Sequence, residues 1–173
     1  FDLDYNYTAG KLTSVSSSDN SLAYAVEYNG AQISKITRTV NEGGMVEVLV
    51  SNLTYSGNTL TEVNGTKTDS GIQTGSFKTT YTYTSGKPNQ AKTQIFLPGS
   101  TNLLSTLTSN LQYSGNNLSS WEFKVEPVSS PPVVIPSVTV TTAFSNYDSN
   151  PNPFHTLPLA FTLTNCNFEI ETE

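Results

Sequence analysis

Apolar side chains recur at fixed distances around five tyrosines, Tyr7, Tyr28, Tyr55, Tyr83 and Tyr113. Six residues before them stand Phe1, Leu22, Leu49, Phe77 and Leu107; two before them stand Tyr5, Val26, Leu53, Tyr81 and Leu111. Five residues after them stand Leu12, Ile33, Leu60, Pro88 and Leu118; eight after them stand Val15, Ile36, Val63, Ala91 and Trp121. Even spacing before each tyrosine puts these residues on one strand face, because successive strand side chains alternate. Their neighbours Asn6, Glu27, Thr54, Thr82 and Gln112 are predicted to face water, and the apolar set to face a buried side. Glycine follows each tyrosine by two or three residues, at Gly10, Gly30, Gly57, Gly86 and Gly115. It supplies the positive φ of a tight hairpin turn, and Asn29-Gly30 is the strongest such signal. The spacing of three after the turn does not fit a regular strand facing one side. Either a β-bulge restores the facing or the second apolar residue points to the other face; the bulge is preferred.

Other punctuation agrees with this repeat. Asn41 to Gly44 and Pro98 to Thr101 link one hairpin to the next. Pro127 to Pro136 holds four prolines and is predicted to be an extended edge segment or linker. Val138 to Phe144 and Leu159 to Leu163 are further strands. Tyr147 to Phe154 breaks the repeat and reads as a turn, with a helical turn following it. The expectation is one all-β domain over residues 1–173, an antiparallel meander of about twelve strands. A meander with one apolar face and no helix to cover it must curl into a half-pipe, a partly closed barrel or two packed sheets.

Composition supports the strand reading. Ser, Thr and Asn supply 64 of the 173 residues, and nine tyrosines with eight phenylalanines argue for a folded chain rather than a disordered one. The net charge is −6, with one arginine and lysines spread singly, so nucleic acid and anionic lipid are not expected partners. No apolar run reaches the length of a membrane helix. Phe1 already falls in the strand pattern, which raises the expectation that an upstream targeting segment was removed.

Candidate chemistry is sparse. His155 is the only histidine and lacks a Gly-x-Ser-x-Gly partner, so it is read as a turn residue. Cys166 is the only cysteine; the parity of apolar residues changes near Asn165, which predicts a bulge and a buried, reduced thiol. One His and one Cys do not make a zinc site, and no cofactor or metal is expected. Glu122 with Glu126, Asp2 with Asp4, and Glu169 with Glu171 and Glu173 share strand faces and are the carboxylate pairs a glycosidase could use. Such spacing is common on solvent-facing strands, so no catalytic, cofactor-binding or metal residue is assigned. Asn6, Asn52, Asn64 and Asn117 head Asn-x-Ser/Thr sequons, as an Asn/Thr-rich chain generates by chance. The tyrosines and Trp121 could stack on sugars but are read as core packing.

The unit Tyr-x-(x)-Gly-x-Leu-x-x-Val resembles the YD or RHS repeat, although the aspartate after tyrosine is missing from all five units. Tyr147-Asp-Ser-Asn-Pro-Asn-Pro-Phe154 is similar to the Tyr-Asp-x-x-x-Asn-Pro-Phe segment of uncharacterised Bacteroidota lipoproteins. The resemblance runs from Phe1 to about Leu163. It implies a curved porin-like antiparallel sheet, an upstream lipidated cysteine, and a periplasmic or outer-membrane-anchored location. It implies no activity. The expected function is a non-catalytic cell-envelope protein that binds or scaffolds, as a monomer, with a glycan, a lipid or an envelope protein as partner. The alternatives are a carrier of an apolar ligand in a barrel cavity and a glycan-active enzyme using paired carboxylates. A membrane-spanning barrel is set aside, because short turns stand on both sides and no separate lipid-facing band exists.

Overall fold

The computed structural model describes residues 2–115, 117–128 and 135–144. They form eleven strands: β1 (Leu3–Thr8), β2 (Lys11–Ser17), β3 (Leu22–Asn29), β4 (Gln32–Glu42), β5 (Met45–Ser56), β6 (Thr59–Asp69), β7 (Ile72–Thr84), β8 (Lys87–Phe96), β9 (Leu103–Ser114), β10 (Asn117–Pro127) and β11 (Val138–Ala143). All lie in one antiparallel sheet, in chain order from β1 to β11, and the sheet is not closed. The predicted strand at Leu159 to Leu163, the Tyr147 to Phe154 turn, Phe1, His155 and Cys166 lie outside the described residues.

The first four tyrosine units are hairpins whose two-residue turns take one of two forms. In the first and fourth units both turn residues, Ala9-Gly10 and Ser85-Gly86, have positive φ, the type I′ arrangement. In the second and third units glycine moves to the first turn position, at Gly30 and Gly57, as in type II′. The different spacing of glycine in the sequence therefore leaves the loop length, and with it the strand register, unchanged.

The preferred bulge is present in all five hairpins. Val26 pairs with Ile36 and Glu27 with Lys35, but Tyr28 pairs with Ile33, leaving Ser34 as the extra residue. Thr13, Thr61, Asn89 and Ser119 occupy the same place in the other units. The extra residue returns both apolar positions of the second strand to the tyrosine face. In three units it also closes a local hydrogen bond: the hydroxyls of Thr13 and Thr61 donate to the carbonyls of Asn6 and Thr54, each at 3.2 Å, and Asn89 Oδ1 accepts from the Thr82 hydroxyl at 3.0 Å.

Successive hairpins are offset by two residues. Val15 faces Tyr24 rather than Val26, Ile36 faces Ser51 rather than Leu53, Val63 faces Thr79 rather than Tyr81, and Ala91 faces Ser109 rather than Leu111. The apolar rows thus climb across the sheet like a staircase. They pack into two clusters, one around Leu12, Val15, Val26 and Ile36 and the other around Leu49, Leu60, Val63 and Phe77. Between Val63 and Leu107 the row passes through Thr79 and Thr93, whose buried hydroxyls hydrogen-bond to each other at 2.8 Å. Gly65 lies beneath the Phe77 ring, where a Cβ would collide with that ring and with the Val50 carbonyl. At the far end of this face Glu47 takes Lys67 at 2.5 Å and Arg38 at 3.6 Å.

The predicted facing holds, since Asn6, Glu27, Thr54, Thr82 and Gln112 are all exposed. The expectation of uniform burial on the other side does not. Tyr5 is 39% exposed and Tyr7 51%, because β1 is the end strand among the described residues and has a neighbour on one side only. Leu22, Leu53, Leu107 and Leu111 are half-buried, because a single layer covers its own face incompletely.

Candidate functional site

Two surfaces hold concentrated chemistry. The first is the rim formed by the five tyrosine turns. The two-residue offset lifts each tyrosine beside the turn of the preceding hairpin. Tyr28 Oη donates to the carbonyl of Leu12 at 3.1 Å, and Tyr83 Oη to that of Leu60 at 2.7 Å. The residue four places after Tyr7, Tyr28 and Tyr83 reaches forward in the same way. Lys11 Nζ donates to the Gly30 carbonyl, Gln32 Nε2 to the Gly57 carbonyl at 2.6 Å, and Lys87 Nζ to the Gly115 carbonyl. The two ammonium groups also sit over rings, Lys11 at 4.9 Å from the Tyr28 centroid and Lys87 at 5.3 Å from that of Tyr113. Burial pushes the phenols of Tyr28, Tyr55, Tyr83 and Tyr113 upward. This rim is a set of clasps between hairpins. Tyr28, Tyr55 and Tyr83 pack against the core clusters, as their sequence positions predict, whereas Tyr7 is exposed.

The second surface is a cleft of about 350 Å³ on the opposite, polar face. Register places Asn52, Asn64 and Lys78 in one cross-strand row and Thr66, Ser76 and Phe96 in the next. The connection from β8 to β9 supplies Ser100 and Thr101 as a further wall. That loop is held by its own hydrogen bonds, Ser100 N to the Leu97 carbonyl at 3.2 Å and Asn102 N to Ser100 Oγ at 2.8 Å. Lys78, the charged residue of the lining, is neutralised by Glu62 at 2.6 Å, and Asn64 Nδ2 donates to the other Glu62 oxygen at 2.6 Å. Lys78 first, and then Asn64, hold the Glu62 carboxyl below its ordinary range. The lining therefore combines hydroxyl and amide residues with Gly65 and two phenylalanines, Phe77 and Phe96, and its lysine is paired.

The carboxylate pairs named from the sequence do not converge on this cleft. Glu122 accepts from Asn110 Nδ2 at 2.8 Å, in a row continued by Gln90 Nε2 to Asn110 Oδ1 at 2.8 Å. Glu126 pairs with Lys124 at 2.7 Å. Four residues along one strand separate Glu122 from Glu126 by about 13 Å, wider than either glycosidase geometry. Asp2 and Asp4 are both exposed, Asp2 just before β1 and Asp4 within it. Glu169, Glu171 and Glu173 lie outside the described residues. Among the described residues no group of three His, Cys, Asp or Glu side chains could hold a metal ion, and no helix is long and apolar enough to cross a membrane. Of the sequon asparagines, Asn52 and Asn64 line the cleft, while Asn6 and Asn117 are exposed on strands. Trp121 is half-buried and tilts against Phe123 at 5.8 Å, as its repeat position implies.

No protein-family model matches the chain, and no curated protein matches it in sequence.

Sequence reasoning missed the cleft because its residues look like ordinary outward strand positions. Phe96 carries the usable signal: an aromatic at the end of a strand, on the parity of Lys92 and Gln94, immediately before the Pro98-Gly99 turn.

Proposed function

We propose that the protein is a non-catalytic binding or scaffold protein of a bacterial cell envelope, with this cleft as its binding site and a neutral glycan as its ligand. The observation that carries this reading is the lining of the cleft. Sugars present hydroxyls that amides and hydroxyls recognise, and C–H faces that stack on an aromatic ring. Phe96 supplies the ring, Asn52, Asn64, Thr66 and Thr101 the polar groups, and the Lys78–Glu62 pair leaves no net charge to select an acidic ligand. The envelope location rests on the resemblance to Bacteroidota lipoproteins described above.

Two features favour binding over the alternatives. Glu122 and Glu126 are each engaged by a partner on an open strand face and stand far apart. The open sheet gives an apolar carrier no closed barrel interior among the described strands.

The test is titration of the full chain against neutral and acidic oligosaccharides by calorimetry. Binding of a neutral glycan that falls at least about tenfold in Phe96→Ala and in Asn64→Ala supports the reading. Binding that both variants leave unchanged, or none across the panel, removes it.

A further inference from the structure

We propose that Glu62 sets the specificity of the cleft: it fixes Asn64 as an acceptor beside the donor Lys78, so that the glycan is held through a free hydroxyl group. This rests on the reading of the cleft as a neutral glycan site. Glu62 is a positioning residue, since it lies outside the lining and acts through two residues within it.

Strand pairing brings the three side chains together. Glu62 and Asn64 stand two apart on β6 and so share a face. Asn64 is directly opposite Lys78 of β7. The Glu62 carboxylate spans this pair. One oxygen accepts from Asn64 Nδ2 and the other from Lys78 Nζ, both at 2.6 Å. The residues opposite Glu62 itself are Thr54 and Thr80, which bring no competing charge.

A carboxylate accepts hydrogen bonds and cannot donate them. The contacts with Lys78 and Asn64 keep Glu62 ionised at neutral pH. The Asn64 amide therefore has one orientation. Its Nδ2 faces Glu62, and its Oδ1 is turned away, because the two atoms branch from one planar carbon. Among the described residues no donor is bonded to that oxygen. Lys78 spends one N–H on Glu62 and keeps the others. An acceptor and a donor thus stand in one cross-strand pair, whose Cβ atoms are about 5 Å apart.

A hydroxyl meets both, since it donates its proton and accepts on its lone pairs. An ether or a carbonyl only accepts, so an O-alkylated position or an acyl substituent at this point would set one acceptor against another. Without Glu62 the amide could take either orientation, and that discrimination would be lost.

The experiment is calorimetry on the full chain at neutral pH, with cellotetraose, maltotetraose and mannotetraose as probes. Glu62→Gln turns an amide N–H toward Asn64 and so draws Asn64 Oδ1 out of the cleft. It should weaken binding of the tetraose at least about tenfold, with an unchanged strand signal in circular dichroism. Adding Asn64→Asp to Glu62→Gln exchanges acid and amide between the two positions. The carboxylate at position 64 then accepts from the new amide and keeps its second oxygen for the ligand. Affinity should return to within about threefold of the original, a recovery that two independent losses would not give. The fully O-methylated tetraose keeps the oxygens without their protons, and should bind at least about tenfold more weakly than the free one. Equal binding by Glu62→Gln, no recovery in the paired exchange, or equal binding of the methylated probe overturns the role of Glu62 and leaves the glycan reading standing. If the original chain binds none of the three tetraoses, both fall together.

Discussion

The hydroxyl of Tyr83 donates a 2.7 Å hydrogen bond to the backbone carbonyl of Leu60, in the preceding hairpin. Tyr55 holds the same repeat position, and its hydroxyl has no hydrogen-bond partner among the described residues. The two tyrosines thus separate ring packing from hydroxyl bonding. Tyr83→Phe should cost about 1 kcal/mol, the usual net worth of such a bond with some penalty for the carbonyl left behind. Tyr55→Phe should cost less than about 0.5 kcal/mol, as a site without a bonded group. Urea unfolding of both variants measures the difference, and equal losses would remove the hydroxyl clasp from the account.

Gly65 is present for space rather than for backbone freedom. A methyl group there meets the Phe77 ring and the Val50 carbonyl, neither of which can move without disturbing the second core cluster. Gly65→Ala should destabilise by about 1–3 kcal/mol, the range for overpacking. Gly75→Ala is the control, since its Cβ would lie 3.6 Å from the Phe96 carbonyl in ordinary contact. It should change stability by less than about 1 kcal/mol, and a comparable loss at both sites would contradict the packing seen at Phe77.

Burial along the apolar face grades the cost of truncation. Ile36 is 2% exposed, and Ile36→Ala should cost about 2–5 kcal/mol. Leu53 is half-buried, so Leu53→Ala should fall nearer 1–2 kcal/mol, in proportion to the apolar area it removes from water. Thr54 is exposed, and Thr54→Ala should cost less than about 1 kcal/mol. Chemical denaturation that ranks them in any other order would mean the facing is wrong.

Alkaline pH tests the tyrosine rim. Burial raises the phenols of Tyr28, Tyr55, Tyr83 and Tyr113 above the ordinary 10.0, and neighbouring phenols add to it, Tyr7 at Tyr28 and Tyr113 at Tyr83. A raised folded value means the native state binds the phenolic proton more tightly than the unfolded chain does. Its contribution is complete below the unfolded value near 10 and is lost as pH rises through the folded values. The urea midpoint should therefore decline once pH passes about 10, with ionisation followed by absorbance near the tyrosinate band. A midpoint that rises there would reverse the sign.

The hairpins were legible because a period of two leaves little freedom: Leu22, Val26 and Tyr28 share a face or none of them does. The bulge was legible too, because Leu12 and Val15 could be buried together only if one residue between them dropped out of register. The clasps were not. Lys11, Gln32 and Lys87 stand four residues after their tyrosines, and polar residues beside a turn read as solvated surface. Only the offset between hairpins, set by strand pairing across long sequence distances, brings them to the next turn. Tyr5 and Tyr7 show the same limit in reverse, since the repeat predicts their facing but not which strand lies beside them. The cleft depends on how the β8–β9 loop folds back, and no periodicity encodes that.

The strictly sequential strand order also bears on mechanics. Among the described residues each strand bonds only to its neighbours in the chain, and no ladder ties the first hairpin to the last. Tension applied between the ends would reach one ladder at a time and peel it like a zipper, instead of shearing several together. The force trace should show a low sawtooth. The teeth should be set by the spacing of the tyrosines, from 21 residues between Tyr7 and Tyr28 to 30 between Tyr83 and Tyr113. Each step would release about 70–110 Å of chain at the reach of an extended backbone.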